Sequence, residues 1–308
     1  MAQARVEDIV AVFGGSGFLG REVVRALIGS GHSVCIAVRD PARARHIQGF
    51  DEPSRTNFVR ADVTDEGSVS KALSGASTAV NVVAAYVEKG GITYSAIHEE
   101  GAKIVAQQAA NAGLACLVHV SGIGSNPRSK SKYIRSRGKG EQLVEEAFPG
   151  AVIVRPSVMF GPNDAFLNTL DQVSRVLPAL PAFGKGRTRL QPVFVEDVAA
   201  AIVHIVEDSS TRGRTFELGG PNVYSYRDLT RLVLSICNRQ RLIVPYPFTL
   251  AKLQAKLAEW LLPSAPLTVA QVELLGQDNV TSDVSPGFDE LGITPRSIED
   301  VAPTYLNG

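Results

Sequence analysis

The chain has 308 residues, 44% of them hydrophobic, and its 31 lysines and arginines are balanced by 31 aspartates and glutamates. That length and apolar share suit a globular protein with one large core or a core plus an appendage, and they set aside disordered and fibrous classes. A formal charge of zero removes any global attraction to nucleic acid or anionic lipid, so no nucleic-acid partner is expected and a lipid partner would need a local patch.

Taken in chain order, Asp8 to Arg155 alternates short β-branched runs with helical stretches. The run is DIVAVF, a helix from about Phe18, SVCIAV, a short helix after Pro41, TNFVRA, and a helix near Glu66 to Leu73. TAVNVV, a long helix around Gly91 to Asn111, CLVHVS, a helix through Gly140 to Ala147, and AVIVRP follow. Six strands separated by helices predict an α/β fold with a doubly wound parallel sheet and right-handed crossovers. After Arg155 the rhythm changes, through QPVFVEDVAAAIVHIV, RTFELGG and mixed helices. The expected division is a first domain over 1–158 and a smaller α/β region over 159–308, on the substrate side and interleaved with the first in space.

The N-terminus shows no secretory signal, since the first strand begins almost at once, and no apolar run approaches the ~18 residues needed to cross a bilayer. Cys35, Cys116 and Cys237 lie far apart in apolar runs and are expected as reduced, buried thiols. The expected location is cytoplasmic.

Between the first strand and its helix stands FGGSGFLG, with Gly14, Gly17 and Gly20 in a G-x-x-G-x-x-G series. In this Rossmann-type context the first glycine permits the tight turn, the second admits a pyrophosphate, and the third allows close helix–strand packing. Gly15, Ser16, Phe18 and Leu19 complete the cradle, whose helix N-terminus offers free N–H groups and partial positive charge. The expected ligand is a nicotinamide dinucleotide. Nineteen residues after Gly20, Arg39 stands where an acid would favour NAD(H), so NADP(H) is expected, with Arg43 and Arg45 near its extra phosphate. The alternatives are that Arg39 is a solvated charge and that Asp40 serves the ribose or caps the helix opened by Pro41. Asp62 and Val63 fall where such folds meet the adenine, and Ala84 and Ala85 leave room beside the fourth strand.

Ser121 follows the fifth strand, Tyr133 comes twelve residues later, and Arg137 stands four beyond it in SKYIRSRGKGE. On one helix Tyr133 and Arg137 share a face. In short-chain dehydrogenases a tyrosine and a lysine so spaced exchange a proton with the substrate oxygen, the cation lowering a phenol pKa that starts at about 10. Arginine still holds ribose hydroxyls and favours a phenolate, but it does not readily release a proton. Tyr133 therefore reads either as proton donor, with Ser121 and Arg137 as partners, or as a residue that packs the cofactor. Arg128, Lys130, Lys132, Arg135, Arg137 and Lys139 share that stretch without an acid, which gives a solvated face or a site for anions.

FGGSGFLGREVV, HVSGIGSN, SKYIRSRGKGE, RPSVMFGPNDAF, QPVFVEDVAAAI, FELGGPNVYSYRDL, VELLGQDNV and LGITP together resemble the atypical short-chain dehydrogenases grouped around the nucleotide-binding accessory subunit of respiratory complex I. The resemblance spans nearly the whole chain. It implies an extended-type fold holding NADP(H), with Pro156, Ser157 and Val158 near the nicotinamide, and a short interval between Ser121 and Tyr133. Arg137 departs from the lysine common at its position. Such relatives either hold nucleotide in a membrane-protein complex, peripheral at the inner membrane, or act as reductases, dehydrogenases or epimerases, some linked to quinones.

Glu196 and Asp197 are expected to start and cap a helix. The histidines lack ligand spacing, so no metal is expected. Leu250, Leu253, Leu257, Trp260 and Leu261 share one helical stripe, read as a docked core face, with a membrane surface, a membrane-protein partner or a second copy of the chain as alternatives.

Overall fold

The computed structural model describes residues 8–45, 54–261 and 268–306. The first half follows the alternation of the sequence. β1 (Ile9–Phe13) leads into α1 (Phe18–Gly29), followed by β2 (Ser33–Val38), α2 (Pro41–Ala44), β3 (Thr56–Arg60), α3 (Glu66–Leu73) and β4 (Thr78–Asn81). A π-helical segment, Ser95–Gly101, runs into α4 (Ala102–Asn111), and β5 (Cys116–Val120), α5 (Lys132–Ala147) and β6 (Val152–Pro156) complete the half. The long helix expected from Gly91 therefore starts later and wider, and the one expected from Gly140 starts a full two turns earlier.

The second half holds β7 (Met159–Phe160), α6 (Phe166–Val176), β8 (Ala179–Phe183), β9 (Arg189–Leu190), β10 (Val193–Phe194) and α7 (Val195–Glu207). Then come β11 (Thr215–Leu218), β12 (Tyr224–Ser225), α8 (Tyr226–Ile236), β13 (Leu242–Tyr246), α9 (Phe248–Leu261) and α10 (Val269–Leu274). Among the described residues the main sheet has seven strands in the order β11-β6-β5-β4-β1-β2-β3, every neighbour parallel. The seventh, β11, is the RTFELGG run that the sequence assigned to the substrate side. Its short, mixed pattern concealed that it pairs with β6, and α7 likewise packs on α1 in the main layer.

Alternate residues of β1 explain the two-faced core. Val10 and Val12 face α1 and α7, meeting Val23, Leu27, Val198 and Ile202, while Ala11 and Phe13 face Val69, Leu73, Val105 and Ile153 on the other side. Each valine, leucine, isoleucine or phenylalanine among them contributes about 1.5–3 kcal/mol on burial. The order of winding reverses between β1 and β4, and the carboxyl ends of those two strands open the crevice where ligands of such sheets bind.

Two expectations fail in instructive ways. Glu196 and Asp197 lie in the first turn of α7 but do not cap it; Asp197 is buried and accepts from the backbone N–H and Nε of Arg296, tying down the C-terminal segment. On α9, Ala251 and Ala255 are the buried residues at 2% and 3% exposure, whereas Leu250, Leu253 and Leu257 are 43%, 55% and 48% exposed. The helix thus docks through its small residues, which permit close approach, and turns Leu250, Leu253 and Leu257 outward. The side chains of Trp260 and Leu261 lie outside the described residues. Cys35 and Cys116 are buried and Cys237 half-buried, each a free thiol pushed up to about 11, chiefly by burial.

Candidate functional site

The glycine loop closes on itself. Gly14 takes φ +81, in the region that favours glycine, and its carbonyl accepts from the N–H of Gly17 at 2.9 Å. A Cβ on Gly20 would lie 2.1 Å from that same carbonyl, so only glycine lets α1 start so close to the strand. No side chain caps α1 and its first turn holds no acid, leaving its amino end available to an anion. Gly15, Ser16, Gly17, Phe18 and Leu19 lie along this turn, beside Val82 and Val83 after β4.

At the carboxyl end of β2 an open cavity of about 770 Å³ is lined by Arg39, Arg45 and Arg60 together with Asp40, Pro41 and Ala42. Asp40 turns its carboxylate onto the N–H of Arg43 at 3.1 Å and caps α2, so the capping role is the one it plays here. Arg43 is exposed but does not line the cavity, and Arg60 does, a residue that no local pattern singles out because it closes an ordinary strand. Arg45 lies over the ring of Phe58. Asp62 accepts from the backbone and hydroxyl of Thr64 at 3.0 and 2.7 Å; burial works against its charge, but these bonds and Arg39 hold the carboxyl below its usual range. Val63 is buried against Gly101, and Ala84 and Ala85 are half-buried after β4.

Tyr133, Arg137 and Ser121 come together at the carboxyl ends of β5 and β6. Arg137 Nε donates to Tyr133 Oη at 3.2 Å, and its Nη2 donates to the Ser121 carbonyl at 3.1 Å. Ser121 Oγ is paired with Ser125 Oγ at 2.9 Å. Burial opposes the charge on Arg137, yet Tyr133, Tyr86 and Glu141 more than offset it, and the guanidinium is held above its usual range. Tyr86 stacks on Tyr133, its ring half exposed and its hydroxyl turned inward, where the phenol of Tyr133 and then burial push it up to about 12. Pro156 is buried beside this cluster and its carbonyl accepts from Ile123. Ser157 Oγ and the N–H of Val158 both donate to Asn279 Oδ1 at 2.7 Å, so a residue from the far C-terminal segment pins the end of β6.

His98 is the site residue that sequence spacing missed. It lies edge-on to Tyr133 at 5.4 Å and stacks on Tyr94, carried there by the π-helical segment. Its Nε2 faces the N–H of Ala85 at 3.0 Å and must accept; Nδ1 faces Ser136 Oγ at 2.9 Å, which itself donates to the Tyr133 carbonyl. The network therefore assigns the neutral ring with hydrogen on Nδ1. Burial, then Arg137 and His119, pushes His98 down to about 3, and burial with Arg137 does the same to His119. The sequence did hold one indirect signal. Two glycines inside one helix, in SRGKGE, are unfavourable unless backbones touch. A Cβ on Gly140 would lie 1.8 Å from the His98 carbonyl, and one on Gly138 would lie 2.4 Å from Pro127 N. Of the basic stretch, Arg137 is buried, Arg135 donates to the carbonyls of Ser129 and Lys130, and Lys139 lies 3.7 Å from Glu99.

With this geometry established, residues 14–209 match the family described as NAD(P)H-binding. The chain belongs to that family. It is 32% identical over 96% of its length to the mouse mitochondrial NADH dehydrogenase [ubiquinone] 1 alpha subcomplex subunit 9, covering 79% of that protein, and 29% identical over 99% to the Arabidopsis thaliana protein of the same name, again covering 79%. It is also 31% identical over 63% of its length to a ceramide reductase of Caulobacter vibrioides, covering 60% of it. In fold it matches the dTDP-glucose 4,6-dehydratase DesIV of Streptomyces venezuelae with a TM-score of 0.74 at 19% identity, covering 97% of this chain and 95% of that one. The chain is thus a nicotinamide-dinucleotide-binding relative of the complex I accessory subunit, with the doubly wound α/β fold that the dehydratase shares. Among the described residues no helix is long and apolar enough to cross a membrane, and no group of three or more metal-ligating side chains forms.

Proposed function

We propose that this protein holds NADP(H), in preference to NAD(H), as a slowly exchanging ligand in an accessory role, with at most weak oxidoreductase turnover. The observation that carries the preference is the cavity at the end of β2, where Arg39, Arg45 and Arg60 converge while the one acid, Asp40, is spent on capping α2. A dianionic phosphate suits that lining, and a bare ribose does not require it. Gly14 to Gly20 and the open end of α1 suit the pyrophosphate, Val63 and Asp62 the adenine side, and Ala84, Ala85 and the segment Pro156–Val158 the nicotinamide side. Arg43 contributes charge from outside the cavity lining. When bound, the nicotinamide supplies or accepts a hydride.

The weak-turnover half of the proposal rests on Arg137. Its Nε and Nη2 are committed to Tyr133 and the Ser121 carbonyl, which orients the phenol but provides no group able to pass a proton onward. A second reading, an active reductase, dehydrogenase or epimerase on a carbonyl or alcohol, a quinone-linked one included, is favoured by one observation: Tyr133 Oη still meets a cation within hydrogen-bond reach, as a proton donor requires. The relatives named as NADH dehydrogenase subunits support attachment to a membrane-protein complex of that kind, and we place this protein on the cytoplasmic side, peripheral at an inner membrane. The outward leucines of α9 are the surface we assign to that contact.

Native mass and absorbance at 340 nm of the purified protein, followed by titration with NADPH and NADH, test the assignment. Retained or tightly bound NADPH that is lost on Arg39→Glu supports it, and fast exchange with turnover lost on Tyr133→Phe selects the reductase. Equal affinity for the two nucleotides sinks the NADP(H) preference.

A further inference from the structure

A second basic cavity lies away from the glycine loop, in the C-terminal region. It has a volume of about 500 Å³ and is lined by Lys185, Arg187 and Arg227 together with Ser225, Asp228 and Pro245. It shares no residue with the cavity at the end of β2. The acid in its lining is already engaged: Asp228 accepts from Ser225 Oγ and from Arg231 Nη1. Among the described residues no ion pair to Lys185, Arg187 or Arg227 forms, and the one acid of the lining, Asp228, already shared between Ser225 and Arg231, also feels the charge of Arg227, so three cations face one space with a single carboxylate.

Two further features show that the space is built. Arg227 Nε is closed off from solvent and has no hydrogen-bond partner among the described residues, an arrangement that is costly unless something else satisfies the group. Lys185 takes φ +73, a conformation that residues other than glycine and asparagine rarely adopt; among the described residues the other non-glycine positions in that region, Asn163 and Asn238, are both asparagines. The loop is clamped into this shape from both sides. A Cβ on Gly184 would lie 2.1 Å from the Phe248 ring, and one on Gly186 would lie 2.9 Å from Arg227 Cβ. The clamp keeps Lys185 on the same cavity as Arg227.

From these observations we infer that Lys185, Arg187 and Arg227 form a second anion site, one that takes a phosphate group. Guanidinium groups pair with phosphate oxygens through charge-assisted hydrogen bonds, and an ammonium adds a compact charge beside them. The phosphate is carried either by a soluble ligand or by a lipid headgroup, since Leu242 and Val244 on the adjoining β13 are exposed.

The test is calorimetric titration of the full chain, its glycine loop first occupied by saturating NADPH, with inorganic pyrophosphate at fixed ionic strength, comparing wild type with Arg227→Gln, Lys185→Gly and Arg39→Glu. Binding is expected to weaken about tenfold or more in Arg227→Gln and by a smaller factor in Lys185→Gly, and to persist in Arg39→Glu. Lys185→Gly relieves the left-handed backbone and should raise the melting temperature, so loss of affinity there does not come from a damaged fold. Sedimentation with phosphatidylglycerol vesicles then separates the sources. Vesicle binding that falls in the same two variants identifies a headgroup; vesicle binding indifferent to them, beside pyrophosphate binding that is not, identifies a soluble phosphate. Pyrophosphate affinity equal to wild type in both Arg227→Gln and Lys185→Gly, or lost only in Arg39→Glu, overturns the site without touching the cofactor assignment.

Discussion

Arg137 and Tyr133, one helical turn apart on α5, are joined by a hydrogen bond from Nε to Oη at 3.2 Å, and the same guanidinium reaches across to the Ser121 carbonyl at the end of β5. The residue that replaces the usual lysine is therefore a cross-brace between helix and sheet, buried to 7% exposure. Replacing Arg137 with Met removes both donors from a buried setting and should cost about 2–3 kcal/mol, while Arg137→Lys, which keeps the charge but loses the fork, should cost less. Urea unfolding measures both. Equal stability of Arg137→Met and wild type would show that the brace is idle.

Gly140 marks the place where α5 touches the π-helical segment backbone to backbone. With a Cβ 1.8 Å from the His98 carbonyl, neither chain has a flexible end that can yield. Gly140→Ala should therefore lose stability by about 3 kcal/mol despite the better helix propensity of alanine, because the overpacking outweighs the ~1 kcal/mol gained in the helix. Thermal unfolding reads the sign directly: a rise in melting temperature would mean that the two segments separate without penalty.

How far this architecture can be read from the sequence follows from the range of each signal. The glycine loop, β1 to β6 and the facing of Tyr133 and Arg137 depend on neighbours a few residues apart, and local pattern carries them. β11 reads as a stray strand because its partner, β6, lies about sixty residues away; Arg155 on β6 reaches Glu217 on β11 only in the fold. Asn279 and Arg60 stay hidden for the same reason: nothing local to either marks what it meets. His98 needed the π-helical turn, which has no pattern of its own in a chain read at helical period.

α9 shows the opposite error, a correct period with the wrong face. Its leucines recur at helical spacing, yet among its described side chains the buried ones are Ala251 and Ala255, so the docked face is the one that carries the small residues. Ala255→Leu should cost about 1–3 kcal/mol by overpacking. Leu253→Ser, at a half-exposed position, should stay within about 0.5 kcal/mol of wild type. Chemical denaturation of the two variants side by side checks the assignment, and the reverse ranking would restore the leucine stripe to the core.

His98 and His119 give the fold a pH dependence whose direction is fixed by their burial as neutral rings. Both are held down to about 3, against an ordinary value of 6.5 in the unfolded chain. Between those limits the unfolded chain binds protons that the folded chain does not, so stability rises with pH and is lost as the pH falls below 6.5. For the pair, the slope approaches about 2–3 kcal/mol per pH unit toward the lower part of that window. Measuring urea midpoints from about pH 7 down to about pH 5 keeps clear of most carboxylate titration. His98→Gln, whose side-chain carbonyl can still accept from the Ala85 N–H, should remove about half of the slope. A slope unchanged by that substitution would mean that His98 gains its proton in the folded state, and the neutral ring beside Tyr133 would have to be abandoned.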